Sequence, residues 1–373
     1  MKGVFWGSAV LIWYAYLGYL GWLWLRCRWH PRAVVRGPHT PDISCVMIVR
    51  DEEQVLERKM KNLLELDYPP ERCQIVVVSD GSTDRTEEIL RRYSQNPRVQ
   101  VVINRLSRGK ACGLNDACAL ARGEVVVFTD ARQEIEAGAV RLLMENFADA
   151  EVGAVSGELM LGDRSAGEAA GGLGLYWRIE KKTRELEAGS GSVVGATGAL
   201  YAMRRELMSA VPGGTVLDDV YIPMQVAKQG KRVVFDPRAR IWDTPNQGGK
   251  REFYRKVRTL SGNYQLLQLA PWLLSGKNPL RFEFVSHKLL RLLVPFAMIG
   301  LLVASALTGG IFYRACFWGQ IGFYTLSFLA IAEIRLGGLA RLADPAKTLV
   351  LLNAAALVAF LNFVTGRKTV WSR

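Results

Sequence analysis

The chain has 373 residues, half of them hydrophobic and 22% charged, with a formal net charge of +13. That mixture excludes both a plain bundle of membrane helices and an ordinary soluble enzyme, unless apolar and charged residues are separated along the sequence. The basic balance does not point to nucleic acid, because much of it flanks apolar segments, where anionic lipid head groups are the natural partners, and no zinc-finger, helix-turn-helix or RNA-platform pattern is present.

The separation starts at once. Residues 3–25 contain no Asp, Glu, Lys or Arg, enough to cross a hydrocarbon core that takes about 20 apolar residues. The stretch is rich in Trp and Tyr and lacks a basic leader with a small-residue cleavage site, which reads as a retained anchor. Arg26, Arg28, Arg32 and Arg36 follow it, so the positive-inside rule puts the N-terminus outside and residues 37–291 in the cytosol. Six cysteines, at 27, 45, 73, 112, 118 and 316, form no Cys-x-x-Cys pair and read as reduced and structural in that compartment. The histidines at 30, 39 and 287 form no metal-ligand cluster.

Ser44–Val49 is a β-branched run, predicted as a buried strand. Asp51 with Gln54 reads as a helix start, and apolar residues then recur at helical spacing until Tyr68-Pro69-Pro70. Residues 74–78 form the next strand, broken by Asp80-Gly81-Ser82, and Asp84 with Glu87 opens a second helix. Residues 99–103 give a third strand, 110–121 a third helix and 125–128 a fourth strand ending at Thr129-Asp130. Such alternation implies a mostly parallel sheet with helices on both faces, which binds ligands beyond the carboxyl ends of its strands. Asp51, Asp80 and Asp130 all fall at that end. Each alone reads as a turn or cap; three in succession read as a site.

Val-Arg-Asp-Glu-Glu (49–53), Val-Ser-Asp-Gly-Ser-Thr-Asp (78–84), Arg-Gly-Lys-Ala (108–111), Phe-Thr-Asp-Ala-Arg (128–132), Leu-Asp-Asp (217–219) and Arg-Lys-Val-Arg (255–258) follow in order. In these pieces, over roughly residues 43–265, the sequence resembles the family-2 glycosyltransferases, inverting enzymes with a GT-A fold. The apolar flanks resemble the membrane-bound branch that makes polysaccharides and glycolipids. The resemblance implies that Asp80 contacts the uridine of a UDP-linked donor, with Asp51 and Glu53 at the same nucleotide edge. It brings Arg108 and Lys110 to the nucleotide or diphosphate. Asp130 matches the first acid of the Asp-x-Asp motif and would hold Mg²⁺ or Mn²⁺ against the diphosphate. Asp219, paired with Asp218, is implied as general base.

Three positions depart from the pattern. Arg132 stands at the second acid, where a guanidinium can instead pair with phosphate oxygens. Ser79 stands where many relatives carry an acid, and Thr259 where processive relatives carry the Trp that contacts the acceptor. On a helix, Arg251, Arg255 and Arg258 share one face and Phe253, Val257, Leu260 and Tyr264 the opposite one, as for a helix at a membrane surface; by resemblance, Arg255 and Arg258 close over the donor. Trp177, Glu180 and Gly198 are weighed as acceptor-cleft residues against plain packing and turn roles.

Residues 292–313, 315–332 and 348–365 again lack charges. Three spans there would leave Arg367, Lys368 and Arg373 outside, against the positive-inside rule, unless one short span is re-entrant. The expected plan is a membrane anchor with its basic flank (1–36), a cytosolic GT-A α/β domain with a mostly parallel sheet (37–250), interfacial helices with the arginine motif (251–291) and a C-terminal membrane region of about three spans (292–373). The expected activity moves a hexose or N-acetylhexosamine from a nucleotide sugar to a lipid-linked or polysaccharide acceptor, forming a β-linkage at a bacterial inner membrane. Membrane lipids and other polysaccharide-assembly proteins are the further partners. Alternatives are a processive exopolysaccharide synthase that also exports its polymer, and an inactive assembly partner, which Arg132 alone favours.

Overall fold

The structure is a computed structural model that describes residues 1–162, 175–243, 249–332, 334 and 340–367. The Gly-rich stretch 167–174, the Arg251 side chain and the tail residues Lys368 and Arg373 lie outside the described set.

The chain opens with helices α1 (Lys2–Trp13) and α2 (Tyr19–Trp29), which run on through a π-helical turn at Tyr14–Gly18. Strand β1 (Ile43–Val49) is buried along its whole length, as the β-branched run requires of a strand covered on both faces. Then come α3 (Leu56–Leu64), β2 (Cys73–Asp80), α4 (Thr86–Tyr93), β3 (Val99–Asn104), α5 (Lys110–Leu120) and β4 (Val125–Thr129). All six lie where the periodicity puts them, with one correction. Asp51 does not cap α3, which starts at Leu56 after Val55 with no side-chain cap.

The second half adds β5 (Glu134–Ile135), α6 (Ala139–Glu145), β6 (Val152–Leu161), α7 (Leu175–Ser190), β7 (Leu200–Arg204), α8 (Asp218–Lys228) and β8 (Arg232–Asp243). One eight-stranded sheet results, in the order β3-β2-β1-β4-β7-β6-β8-β5. Its β3-β2-β1-β4 part is parallel throughout; β7 runs antiparallel to both its neighbours, and β6 and β8 are parallel to each other. The order reverses at β1, with β2 on one side and β4 on the other. Such a switch point opens a crevice at the carboxyl ends of the strands.

Helix α9 (Gly249–Leu269) leads through a short turn to α10 (Arg281–Phe284), a second π-helical turn at Val285–Leu289, and helices α11 (Leu290–Leu307), α12 (Ile311–Ile331) and α13 (Ala340–Val364). Among the described residues three helical stretches are long and apolar enough to cross a membrane: Lys2–Trp29, Arg281–Leu307 and Leu342–Val364. Helix α12 spans the third predicted apolar stretch but is not one of them; Arg314, Trp318 and Gln320 dilute its apolar character. Trp6, Val10, Trp13 and Trp24 of the first stretch are largely exposed, an arrangement that suits lipid rather than water.

Candidate active site

The crevice gathers most of the expected residues, in three linked groups. At its β1–β2 side, Asp51 follows β1 with φ 53°, a strained backbone for a non-glycine residue and one that clusters at functional sites. The turn aims its carboxylate at the next loop. Oδ1 accepts from the Thr83 amide (2.7 Å) and hydroxyl (3.1 Å), while the Asp51 amide donates to Ser82 Oγ at 3.2 Å. Glu53 accepts from the Arg85 amide at 3.1 Å and its side chain at 3.4 Å. These acids therefore tie the 82–85 loop to the end of β1.

Asp80, the expected uridine contact, here faces the neighbouring loop. Its carboxylate is fully buried and accepts from Ser107 Oγ (2.8 Å) and from the amides of Arg108 (2.8 Å) and Gly109 (2.9 Å). A direct contact with a base would require that loop to leave, so Asp80 anchors the loop that delivers Lys110. Gly81 is part of the fit: it has φ 66°, and a Cβ there would lie 2.5 Å from the Ser107 amide nitrogen. Arg108 turns away to pair with Asp116.

Lys110, the first residue of α5, is the centre of the second group. Its ammonium lies 3.0 Å from Asp130 Oδ1 and 3.3 Å from Asp218 Oδ2. Burial works against that charge, but Asp130 and Asp218 outweigh it and raise the lysine pKa. Asp218 and Asp219 form the first turn of α8, where a helix N-terminus favours anions. For Asp219 the opposite forces win: burial first, then the charge of Asp218, push it up to about 6 against Lys110 and Lys288. Gly198 leaves space beside it, since a Cβ there would sit 3.1 Å from Asp219 Oδ2.

The third group is built on Asp243, at the end of β8. Arg132 grips it in a two-pronged pair, Nε to Oδ1 at 3.0 Å and Nη2 to Oδ2 at 2.6 Å. Arg255, reaching over from α9, has Nη1 3.8 Å from the same Oδ2. The guanidinium expected on the diphosphate is thus held by a buried carboxylate. Arg258, half-buried on α9 three residues beyond Arg255, has no ion pair with a described residue.

Four residues at or near this site carried no sequence signal on their own. Asp243 follows Trp242 in what reads as an ordinary strand end. Lys59 looks like an exposed position of α3, yet it is 1% exposed, donates to Thr129 Oγ1 and the Gln133 carbonyl at 2.8 Å each, and is pulled down to about 7 by burial, with Asp130 opposing. Tyr201 of β7 stacks on Phe128 of β4 at 4.5 Å, its buried hydroxyl without a hydrogen-bond partner. Lys288 lies far along the chain. Only its charge, which acts on Asp219, singles it out.

No group of three or more potential metal ligands exists among the described residues. Asp130 nonetheless fits a hard divalent cation: it is 39% exposed at the crevice, and only Oδ1 is engaged by Lys110. Mg²⁺ takes one or two carboxylates and completes its shell with phosphate oxygens and water. The ammonium held between Asp130 and Asp218 marks where positive charge is favoured.

The family model "Glycosyl transferase family 2" matches residues 44–211, from β1 to the loop beyond β7. The chain carries a family 2 glycosyltransferase domain. Over 236 residues the chain is 27% identical to "Probable glycosyltransferase YdaM" of Bacillus subtilis (60% of this chain, 55% of that protein). It is 26% identical over 192 residues to a beta-monoglucosyldiacylglycerol synthase of Synechocystis (50% and 40%), and 24% over 237 residues to a poly-beta-1,6-N-acetyl-D-glucosamine synthase of Staphylococcus aureus (60% and 55%). The chain thus spans about half the length of the curated relatives it matches. Among solved structures, the mannosyltransferase PcManGT of Pyrobaculum calidifontis, in complex with GDP-Man and Mn²⁺, superposes with a TM-score of 0.72 at 23% identity, covering 97% of this chain and 99% of that one. The family 2 domain is therefore GT-A-like, with an α/β sheet carrying its acids at the carboxyl ends of the strands.

Proposed function

We propose that the chain is a membrane-bound inverting glycosyltransferase that moves a hexose or N-acetylhexosamine from a nucleotide sugar to a lipid-linked or polysaccharide acceptor. The observation that carries this reading is Lys110 held between Asp130 and Asp218 beside Asp219, a carboxyl pushed up to about 6. A general base works best with a pKa near the operating pH and typically contributes about 10²–10⁴-fold. Asp219 takes the proton of an acceptor hydroxyl. The acceptor oxygen bonds to the anomeric carbon as its bond to the donor phosphate oxygen breaks, and the nucleoside diphosphate leaves with that electron pair. Inversion turns an α-linked donor into a β-linked product.

Lys110, Arg255 and Arg258 supply preplaced positive charge for the departing diphosphate. Asp130 would hold Mg²⁺ or Mn²⁺, which would add charge at the same oxygens. Asp51 and Glu53 shape the nucleotide edge, Asp80 anchors the loop carrying Arg108 and Lys110, and Arg132 holds Asp243 under Arg255. Relatives named as a glycolipid synthase and as a polysaccharide synthase support an acceptor at a membrane. The GDP-Man and Mn²⁺ of the mannosyltransferase support a nucleotide-sugar donor with a divalent ion. In this reading the domain lies on the cytosolic side of a bacterial inner membrane, behind the arginines at 26–36.

Asp219→Asn tests the assignment. Transfer by the purified full chain is expected to fall at least 10³-fold, with UDP affinity within twofold of wild type. Normal turnover by the variant would remove Asp219 from the mechanism. Product length from one donor separates single addition from polymerisation.

A further inference from the structure

A second cluster of charges lies beside Asp219, on the side facing the membrane helices. His287, on the π-helical turn Val285–Leu289, has Nδ1 2.8 Å from Glu187 and Nε2 3.1 Å from Glu180, both carboxylates of α7. Arg291 Nη1 donates to Glu180 at 2.7 Å, and Arg184 Nε lies 3.5 Å from the same group. Tyr19 of α2 donates to Glu187 at 2.8 Å. The cluster joins the site through contacts: Arg184 donates to Thr197 Oγ1 at 2.8 Å, and Thr197 precedes Gly198, the glycine against Asp219.

Not every donor in the cluster is used. Glu180 and Glu187 act on Lys288, and Glu180 also on Arg184 and Arg291, while Asp219 lies within reach of Lys288. Lys288 makes no hydrogen bond or ion pair with a described residue, although its ammonium is one of the charges acting on Asp219. Arg291 Nε is a buried donor without an acceptor. Lys288 on the π-helical turn and Arg291 at the start of α11 are near enough for their charges to act on each other. A buried donor left without an acceptor is costly, and an anion seated there would satisfy it.

We propose that Lys288, with Arg291, forms a subsite for the phosphate of a lipid-phosphate-linked sugar acceptor. Resting on the transferase reading above, this narrows its acceptor class. The phosphate is a handle rather than the nucleophile: an ionised phosphate needs no base, whereas Asp219 is set up to deprotonate a hydroxyl. The lipid part continues along α11 into the bilayer, and the sugar extends past Gly198 toward Asp219.

The test uses the purified full chain in neutral detergent with three probes: farnesyl phosphate, farnesol and inorganic phosphate. Wild type is expected to bind farnesyl phosphate at least about tenfold more tightly than either control, as one charge-assisted contact allows. Lys288→Gln should erase most of that preference and Lys288→Arg should keep it, with UDP affinity unchanged in both. No preference in wild type, a full preference in Lys288→Gln, or equal binding of inorganic phosphate would overturn the subsite. If Lys288→Gln loses UDP binding through misfolding, the wild-type ranking and Lys288→Arg decide. Absence of UDP and GDP binding by wild type would instead defeat the transferase reading, whatever the phosphate result.

Discussion

At the scale of single residues, Asp219 sets a pH dependence whose sign can be worked out. Its pKa rises from 3.8 to about 6 on folding, through burial and then Asp218. The folded chain therefore holds this proton more tightly than the unfolded one. That contribution to stability is complete below about pH 4 and is lost as pH rises through 6. In the proposed mechanism transfer needs the ionised form, so its rate should fall below about pH 6. Asp219→Asn should melt at a higher temperature than wild type at pH 7.5, by an amount on the order of 1–2 kcal/mol, with the gap closing at pH 4. Melting curves at the two pH values check this, and a constant gap would contradict the assignment. Gly198 makes a complementary case. An added Cβ at 3.1 Å from Asp219 Oδ2 forces the carboxylate to yield by a few tenths of an ångström. Gly198→Ala should lower kcat by about 10- to 100-fold, since small misplacements of reacting groups are costly, with little change in melting temperature. Unchanged kcat would mean that the space beside Asp219 is not used.

At the scale of elements, Asp243 links three that are distant in sequence: the β4–β5 connection through Arg132, the end of β8, and α9 through Arg255. Asp243 is buried and Arg132 about one-third exposed, so the pair is partly screened and its rupture costs less than the 3–5 kcal/mol of a fully buried one. Arg132→Ala should destabilise by about 2 kcal/mol, while Arg132→Ala with Asp243→Asn should recover part of the loss, because no unpaired carboxylate remains. Chemical denaturation of the two single variants and the double variant measures the coupling. Strict additivity would dissolve the link. Lys59 performs a similar task from α3. Lys59→Ala would leave Thr129, just before Asp130, and the Gln133 carbonyl, three residues after it, without their donor, and should cost about 2–4 kcal/mol.

At the scale of the whole molecule, polar contacts bind the candidate membrane helices to the α/β domain. Tyr14 meets Ser286 at 2.9 Å, one π-helical turn against another, Arg26 pairs with Glu283, and Tyr19 reaches Glu187. π-helical turns cluster at functional positions, and here they face each other next to Lys288 and Arg291. Three candidate spans with exposed Trp at the first imply integral attachment. The full chain should stay in the membrane pellet after an alkaline carbonate wash and leave it only with detergent. Release by carbonate would contradict a spanning arrangement.

The sequence by itself determined the first seven αβ elements, the acids at the strand ends and the apolar flanks. Each is written in local periodicity or in a turn next to a strand, and so needs no partner to be read. Tertiary structure alone decided which acid meets which cation. Asp80 met Ser107, Arg108 and Gly109 of the neighbouring loop, and Arg132 was drawn to Asp243, a residue 111 positions away. Lys59 and Lys288 look like ordinary surface lysines until the fold buries one and brings the other within reach of Asp219. Pairing of charges depends on distance in space and on what excludes water, and neither is encoded by spacing along the chain.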